Sequence, residues 1–336
     1  MKSAFAPLIL ALAFAACRTE TTGTSIQASR MENAGDEAPR YSAWSAPDNV
    51  GTPVNSPFAD INPSISKDGL TLFFDCANCP ENIGAMDIWV AQRTSVDAPW
   101  EARQNLGPII NTTAGDGGPS ISRDGHRLYF LSQRPGGFGV QDLYVSRRQD
   151  KRDPFGWEEP VNLGANVNTE FAENAPEISE DDAGTVLYFA STRPGGPGGT
   201  DIYMSRLGPD GTFGPAALVA ELSSPANDGA PTVRRDGLEV IFSSDRAGSI
   251  PPPPGMPAQV LDLWVSTRAS TSDPWSPPEN LGLVVNSQFI EQSPAFSFDG
   301  TELYFHSPFR PGNVGGTMFD IWMTKRSKLT GRELAP

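Results

Sequence analysis

Cysteine and histidine, two side chains that often carry enzyme chemistry, are scarce in this sequence. Its 336 residues include three cysteines and two histidines. There is no Gly-x-Ser-x-Gly elbow, no His-Glu-x-x-His pair, no phosphate-binding loop and no dinucleotide fingerprint. Basic residues are also scarce, because 25 Lys and Arg stand against 40 Asp and Glu and leave a net charge of −15. This balance excludes a protein that binds nucleic acid through a basic surface.

Long apolar runs are absent after residue 16. Before that point, a charged start and a short apolar run predict a secretory signal peptide over residues 1–16, because the run is too short to span a membrane. The stretch Phe14-Ala15-Ala16-Cys17 resembles the bacterial lipobox. This resemblance implies lipidation of Cys17 and anchoring in the bacterial cell envelope, with Arg18 favouring the outer membrane. An ordinary signal peptide cut nearby is the alternative.

The two remaining cysteines are close together in the sequence. Residues 17–40 are polar and without periodicity, which predicts a flexible tether after the lipidated cysteine. Beyond it, Cys76 and Cys79 are separated by two residues. In an oxidising envelope this pair predicts a local disulfide, since no second Cys or His pair is there to complete a zinc site. A redox-active pair is the alternative, but it lacks a helix N-terminus that would activate the thiol.

Glycine and proline are abundant, and they belong to a repeat. The 33 Gly and 32 Pro disfavour a mostly helical protein. One pattern recurs: it opens at a Pro, turns at Asp-Gly or a looser variant, and continues as an apolar and aromatic segment. Asp-Gly between two short apolar runs predicts a β-hairpin, because Gly tolerates positive φ. The five copies begin at Pro63, Pro119, Pro176, Pro231 and Pro294.

Two further strands follow each predicted hairpin. The third strand opens with an acid, at Asp87, Asp142, Asp201, Asp262 and Asp320. The fourth runs from an aromatic residue to a small polar one, from Trp100 to Asn111, Trp157 to Asn168, Phe213 to Ser224 and Trp275 to Asn286. The last copy has no such strand, but Trp44 and Asn55 have the same spacing near the other end.

This arrangement predicts an all-β protein, a five-bladed β-propeller with four-stranded blades. Stacking the blades in a circle buries the faces that one blade alone would expose. The propeller is predicted over residues 41–328, closed by the N-terminal strand completing the last blade, with a C-terminal tail at residues 329–336.

The repeat also resembles a known one. The motifs Pro-x-Ile-Ser-x-Asp-Gly-x-x-Leu-Tyr-Phe-x-Ser-x-Arg-Pro-Gly-Gly and Asp-Ile-Tyr-Val-Ser resemble the TolB-type, WD-repeat-like propeller repeat of bacterial envelope proteins. The resemblance covers nearly the whole chain after residue 40. It implies a propeller fold and no particular activity, and TolB itself has six blades and an extra N-terminal domain, whereas five copies are found here.

Every copy carries an acid three residues before its Pro. Because the first strand of a blade is innermost, these carboxylates are expected to encircle one mouth of the central channel. The acids are Asp60, Asp116, Glu173, Asp228 and Glu291, and loops on the same face carry Arg134, Arg193, Arg246 and Arg310. Pairing between neighbouring blades would neutralise the ring. A site for a ligand or for a cation such as calcium is the alternative; no other metal, cofactor or catalytic residue is predicted.

Three loops depart from the repeat and form the predicted binding surface. They are the stretch from Asp75 to Met86 with the cysteines, the segment with Pro251 to Pro254, and the extension from Pro308 to Phe319. These features predict a non-catalytic envelope module that binds a protein, peptide or glycan through its loop-rich face. The membrane is reached only through the lipid anchor.

Two other functions compete with this interpretation. A carbohydrate-active hydrolase would hold two carboxylates at a channel mouth, but every conspicuous carboxylate belongs to the repeat, so no pair stands out. A structural envelope component without a small ligand is the third possibility.

Overall fold

The computed structural model describes residues 41–181, 184–255, 260–314 and 316–329. The predicted signal peptide, Cys17, the tether and residues 330–336 of the predicted C-terminal tail lie outside the described residues. Within the described part, twenty strands form five antiparallel sheets of four strands each. No helix long and apolar enough to cross a membrane is found in this part of the chain.

Each sheet is one blade. The first four blades contain their strands in chain order. Blade one contains β2 (Ala59–Ile65), β3 (Thr71–Ala77), β4 (Met86–Gln92) and β5 (Gln104–Asn105), and blade two contains β6 (Asp116–Ile121), β7 (Arg127–Ser132), β8 (Asp142–Arg147) and β9 (Val161–Asn162). Blade three contains β10 (Glu173–Asp181), β11 (Gly184–Ser191), β12 (Asp201–Arg206) and β13 (Ala217–Leu218), and blade four contains β14 (Asp228–Val233), β15 (Glu239–Ser244), β16 (Asp262–Thr267) and β17 (Glu279–Asn280). The fifth contains β18 (Gln292–Phe296), β19 (Glu302–Ser307), β20 (Asp320–Lys325) and β1 (Asp48–Asn49).

The strand nearest the N-terminus closes the ring. β1 pairs antiparallel with β20, so the last blade is completed from the opposite end of the chain. The Asn55 amide holds this junction, since it accepts the Ile321 N–H at 2.8 Å and donates to the Ile321 carbonyl at 2.9 Å. The innermost strands β2, β6, β10, β14 and β18 contact one another in a closed circle. The predicted five-bladed propeller, with its N-terminal closing strand, is confirmed.

The Asp-Gly turns join the first two strands of a blade. In blade one, Gly69 has a φ of 71°. Asp68 Oδ1 accepts the Leu70 N–H at 3.1 Å and the Ser66 hydroxyl at 2.6 Å. The Ser-x-Asp-Gly motif therefore closes the turn with its own side chains, and Gly supplies a backbone conformation that a Cβ would strain.

A β-bulge interrupts each innermost strand directly before its repeat Pro. The residue at this position has positive φ, for example 52° at Asn62 and 46° at Ala175. Bulges bend a strand locally. The bulge residues and the prolines after them line a narrow throat in the channel, with a free volume of about 30 Å³.

Candidate functional site

The five carboxylates predicted at a channel mouth are buried inside the blades, with no exposed side-chain area. A guanidinium lies beside each one. In blades two to five the Nη2–O distances are 3.0 Å for Arg134–Asp116, 3.1 Å for Arg193–Glu173, 2.5 Å for Arg246–Asp228 and 2.7 Å for Arg310–Glu291.

Asp116 shows the arrangement that the blades share. Its Oδ2 accepts the backbone N–H and the hydroxyl of Thr112 at 2.6 and 2.7 Å. Its Oδ1 accepts the Ser132 hydroxyl at 2.5 Å. The guanidinium of Arg134 also lies over the Tyr144 ring, 5.0 Å from its centre. The carboxylate therefore ties the start of β6 to the end of β7, and its arginine packs on β8.

The predicted pairing between neighbouring blades is wrong, because each ion pair lies within one blade. In an antiparallel hairpin the start of the first strand lies beside the end of the second, as the register of Asp116 with Ser132 shows. Arg134 follows Ser132 by two residues and so reaches the acid of its own blade. A carboxylate enclosed in this way stabilises the blade and is not presented to a ligand.

Blade one also has a buried carboxylate paired with a guanidinium, but different residues surround this carboxylate. Cys76 occupies the register position opposite Asp60 that Ser132 occupies opposite Asp116, and its sulfur is bonded to that of Cys79, with 5.8 Å between the Cα atoms. The guanidinium comes from Arg103, which lies before β5 and is 2.5 Å from Asp60. Burial raises the pKa of Asp60 to about 6, although Arg103 opposes the shift.

The loop-rich face holds the larger of the channel's two mouth cavities, with a volume of about 300 Å³. We call this opening the loop mouth; its polar lining includes Gln141, Asn174, Thr200, Asn227, Ser243 and Gln292. These residues belong to blades two to five. Amides and hydroxyls dominate this lining, and the one acid in it, Asp228, is already paired with Arg246.

A buried hydrogen-bond network lies beside the loop mouth, on its blade-one side. The Asn62 amide donates to Asp75 Oδ2 at 2.6 Å and accepts the Ser293 hydroxyl at 2.6 Å. Its backbone N–H donates to His306 Nδ1 at 3.1 Å. Burial raises the pKa of Asp75 well above its ordinary value and lowers that of His306 to about 3. His306 is therefore neutral near pH 7, and the raised pKa of Asp75 favours the protonated form of its carboxyl group.

Past the throat, the residue after each repeat Pro lines the channel. Four of these five residues are small, namely Ser64, Ser120, Thr232 and Ala295, and the fifth is Glu177 of blade three. Glu177 Oε1 accepts the Thr232 hydroxyl at 3.1 Å and the Val233 N–H at 3.3 Å, and Oε2 lies 3.4 Å from the Ser120 hydroxyl. Burial in the channel raises the pKa of Glu177 to about 7, because these neutral donors do not offset the desolvation of its charge.

The opposite opening of the channel, which we call the hairpin mouth, is formed by the Asp-Gly hairpins. The variable residues of the five Ser-x-Asp-Gly-like motifs form a ring around this opening. They are Lys67, Arg123, Glu180, Arg235 and Phe298. The ring encloses a cavity of about 100 Å³ that extends inward to Glu177. Glu180 Oε2 accepts the Arg123 backbone N–H at 2.8 Å. Two carboxyl groups, Glu177 and Glu180, therefore line one cavity.

Sequence reasoning missed Glu177, Glu180 and Asp75, and the signal for all three was a break in the repeat. Glu177 stands where other blades carry Ser, Thr or Ala, and Glu180 stands where three of them carry Lys or Arg. Asp75 occupies the strand-two position that is Leu131 in blade two. Comparing the copies for the residue that differs, rather than for the residue they share, would have selected them.

No protein-family model and no curated protein matches the sequence, but solved structures do. An α-L-arabinofuranosidase from Lactobacillus brevis is 15% identical and matches over 84% of this chain and 94% of that one, with a TM-score of 0.55. An α-L-arabinofuranosidase from Podospora anserina, in complex with cellotriose, is 12% identical over 87% and 99%, with a TM-score of 0.53. TolB from Acinetobacter baumannii is 15% identical over 88% and 65%, with a TM-score of 0.46.

Family-43 and family-117 glycoside hydrolases also match. At these identities the similarity establishes the propeller fold. The comparisons contradict the prediction of a non-catalytic module that is not an enzyme, and they favour its carbohydrate-active alternative. The prediction weighed only the repeated carboxylates, which are buried in ion pairs, and it did not consider Glu177 and Glu180, which lie outside the repeated set and line a cavity.

Proposed function

We propose that this chain is a carbohydrate-active hydrolase that acts on a glycan at the hairpin mouth. The observation that carries the proposal is that Glu177 and Glu180 line one open cavity and that neither carboxyl group has an ion pair among the described residues. Glycoside hydrolysis uses two carboxyl groups, one protonated and one ionised, on either side of the bond that breaks. The similarity to glycoside hydrolases of the same fold supports this choice.

The two glutamates have different surroundings. Glu177 lies deep in the channel, and its pKa of about 7 leaves it largely protonated below neutral pH. We assign it as the general acid, which donates its proton to the oxygen of the leaving sugar. Glu180 lies at the rim, where it accepts a backbone N–H at 2.8 Å, and we assign it as the carboxylate that activates water.

The two residues are three positions apart on β10, which sets their Cα atoms about 10 Å apart in an extended strand. The stereochemical outcome follows from the distance between the carboxyl groups themselves. Carboxyl groups roughly 6.5–9.5 Å apart leave room for a water molecule between the base and the sugar, as inverting enzymes require. Retaining enzymes hold the two groups closer together.

The test is the release of reducing sugar from a panel of plant and bacterial glycans, measured from pH 4 to pH 9. We expect kcat/KM to decline as the pH rises through about 7, because the general acid Glu177 loses its proton there. Arg206→Gln, a change at an exposed residue of β12, is the control, and it is expected to show the same pH profile as wild type. A folded protein that releases no sugar from any glycan, or activity that does not decline above pH 7, would contradict the proposal.

We propose further that the chain is a lipid-anchored protein of the bacterial envelope and that its substrate is met there. The lipobox-like stretch before Cys17 and the TolB-type repeat support this location. Growth with labelled palmitate tests it: the wild-type chain is expected to take up label and the Cys17→Ser variant is not. Label that persists in the variant would exclude Cys17 as the anchor.

A further inference from the structure

Three cationic side chains converge on one aromatic ring at the hairpin mouth. The Lys67 Nζ lies 4.9 Å from the centre of the Phe298 ring, and the Cζ atoms of Arg123 and Arg235 lie 5.0 and 4.5 Å from it. They come from blades one, two and four and share the variable position of the hairpin motif. None of the three makes an ion pair with a carboxylate in the part of the chain that the structure describes.

A cluster of three cations without a carboxylate partner is unusual in a protein that carries an excess of acidic residues. The chain has a net charge of −15, and arginines inside the blades, such as Arg134 and Arg246, are paired with buried carboxylates. Like charges that converge repel one another, and the face of a phenyl ring offsets only part of that repulsion. An anion held between the three side chains would remove it.

The shape of the hairpin mouth fits such a ligand. The three cations surround a cavity of about 100 Å³, whose lining also includes Ser122, Ser179 and Ser297. Guanidinium groups bind carboxylate and sulfate oxygens through paired hydrogen bonds. Phe298 adds an apolar surface, on which the C–H face of a sugar ring packs. The positive charges and the aromatic ring therefore meet at one opening.

We infer that the hairpin mouth binds a glycan through an oxyanion on the sugar, a carboxylate or a sulfate ester, held by Lys67, Arg123 and Arg235. The inference rests on the proposed function, because it names the substrate class of the same site. Glu180 completes the ring and disfavours the anion on its own side. The anionic group therefore lies toward the cations and the bond to be cleaved lies toward the glutamates.

The experiment is isothermal titration of the full mature chain carrying Glu177→Gln, so that no ligand is consumed. The probes are a short oligouronate, a sulfated oligosaccharide and a neutral oligosaccharide of equal length. We expect at least one anionic probe to bind about tenfold or more tightly than the neutral one, and the combined Arg123→Gln and Arg235→Gln changes to remove that preference. Arg206→Gln is the control for a cation lost elsewhere.

The probes separate the outcomes. Preference for the oligouronate identifies a carboxylate and preference for the sulfated probe identifies a sulfate ester; both support the inference. Equal binding of anionic and neutral probes, or a preference that survives the double arginine change, overturns it. Selective binding of an anionic glycan that the wild-type chain never cleaves would keep the inference and remove the proposed hydrolase. Cleavage of neutral glycans without a preference for anionic probes would overturn the inference and keep the proposed hydrolase.

Discussion

Replacing Glu177 with Gln is expected to lower kcat/KM for the cleaved glycan by about 10²- to 10⁴-fold, the usual loss when a general acid is removed. Gln has nearly the same shape as a protonated Glu and keeps a donor and an acceptor for Ser120 and Thr232. The channel should therefore stay intact while the proton source is lost. Reducing-sugar assays at pH 6 measure the effect, and Glu158→Gln, an exposed change, is the matched control.

The same variant has a second expected effect that is independent of catalysis. Burial raises the pKa of Glu177 in the folded chain from 4.5 to about 7, so folding favours its protonated form. Its contribution to stability is complete below pH 4.5 and is lost as the pH rises through about 7. Glu177→Gln cannot ionise and is expected to have a higher Tm than wild type at pH 8 and a similar Tm at pH 4.

Together the two readouts decide the role of Glu177. The groups that face it at the hairpin mouth, Lys67, Arg123, Glu180 and Arg235, are unchanged in the variant, so the difference in Tm isolates this one carboxyl. Unchanged activity together with the expected Tm shift would show that Glu177 is buried as described but is not the general acid. An unchanged Tm at pH 8 would contradict the burial itself.

Arg246→Met is expected to lower the free energy of unfolding by about 3–5 kcal/mol, which makes it the most destabilising change proposed. The Asp228 side chain has no exposed area and lies 2.5 Å from the guanidinium. Removing Arg246 leaves that carboxylate buried without a countercharge, and breaking a buried pair in this way carries a cost of that size. Urea unfolding at pH 7, monitored by tryptophan fluorescence, measures it.

Two comparisons make the second prediction specific. Adding Asp228→Asn to Arg246→Met removes the stranded charge and is expected to recover part of the loss. Arg152→Ala breaks the ion pair with Asp150, whose two side chains are largely exposed, and is expected to leave the unfolding midpoint unchanged. If Arg246→Met were as mild as Arg152→Ala, the ring of ion pairs would not be what holds the inner strands.

The predicted position of the five acids and the predicted function were wrong for the same physical reason. Periodicity identified the five acids correctly as a set, but it could not show on which side of the inner strand their side chains lie. That depends on the hairpin register, which sets Asp116 opposite Ser132 and brings Arg134 onto it. Groups that every blade repeats became ion pairs inside the blades, while exceptions such as Glu177 and Phe298 line the channel.

The architecture could be predicted from local patterns: the Asp-Gly turns indicate the hairpins, the number of copies gives the number of blades, and the spacing from Trp44 to Asn55 indicates the closing strand. These are local patterns, and local geometry is enough to produce them. The tertiary structure alone decided which carboxyl groups face a cavity. Glu177 of β10 acquires its hydrogen bonds from Ser120 and Thr232, which lie on β6 and β14 and meet it only when the ring closes. The same closure buries the Glu177 carboxyl group, and this burial raises its pKa.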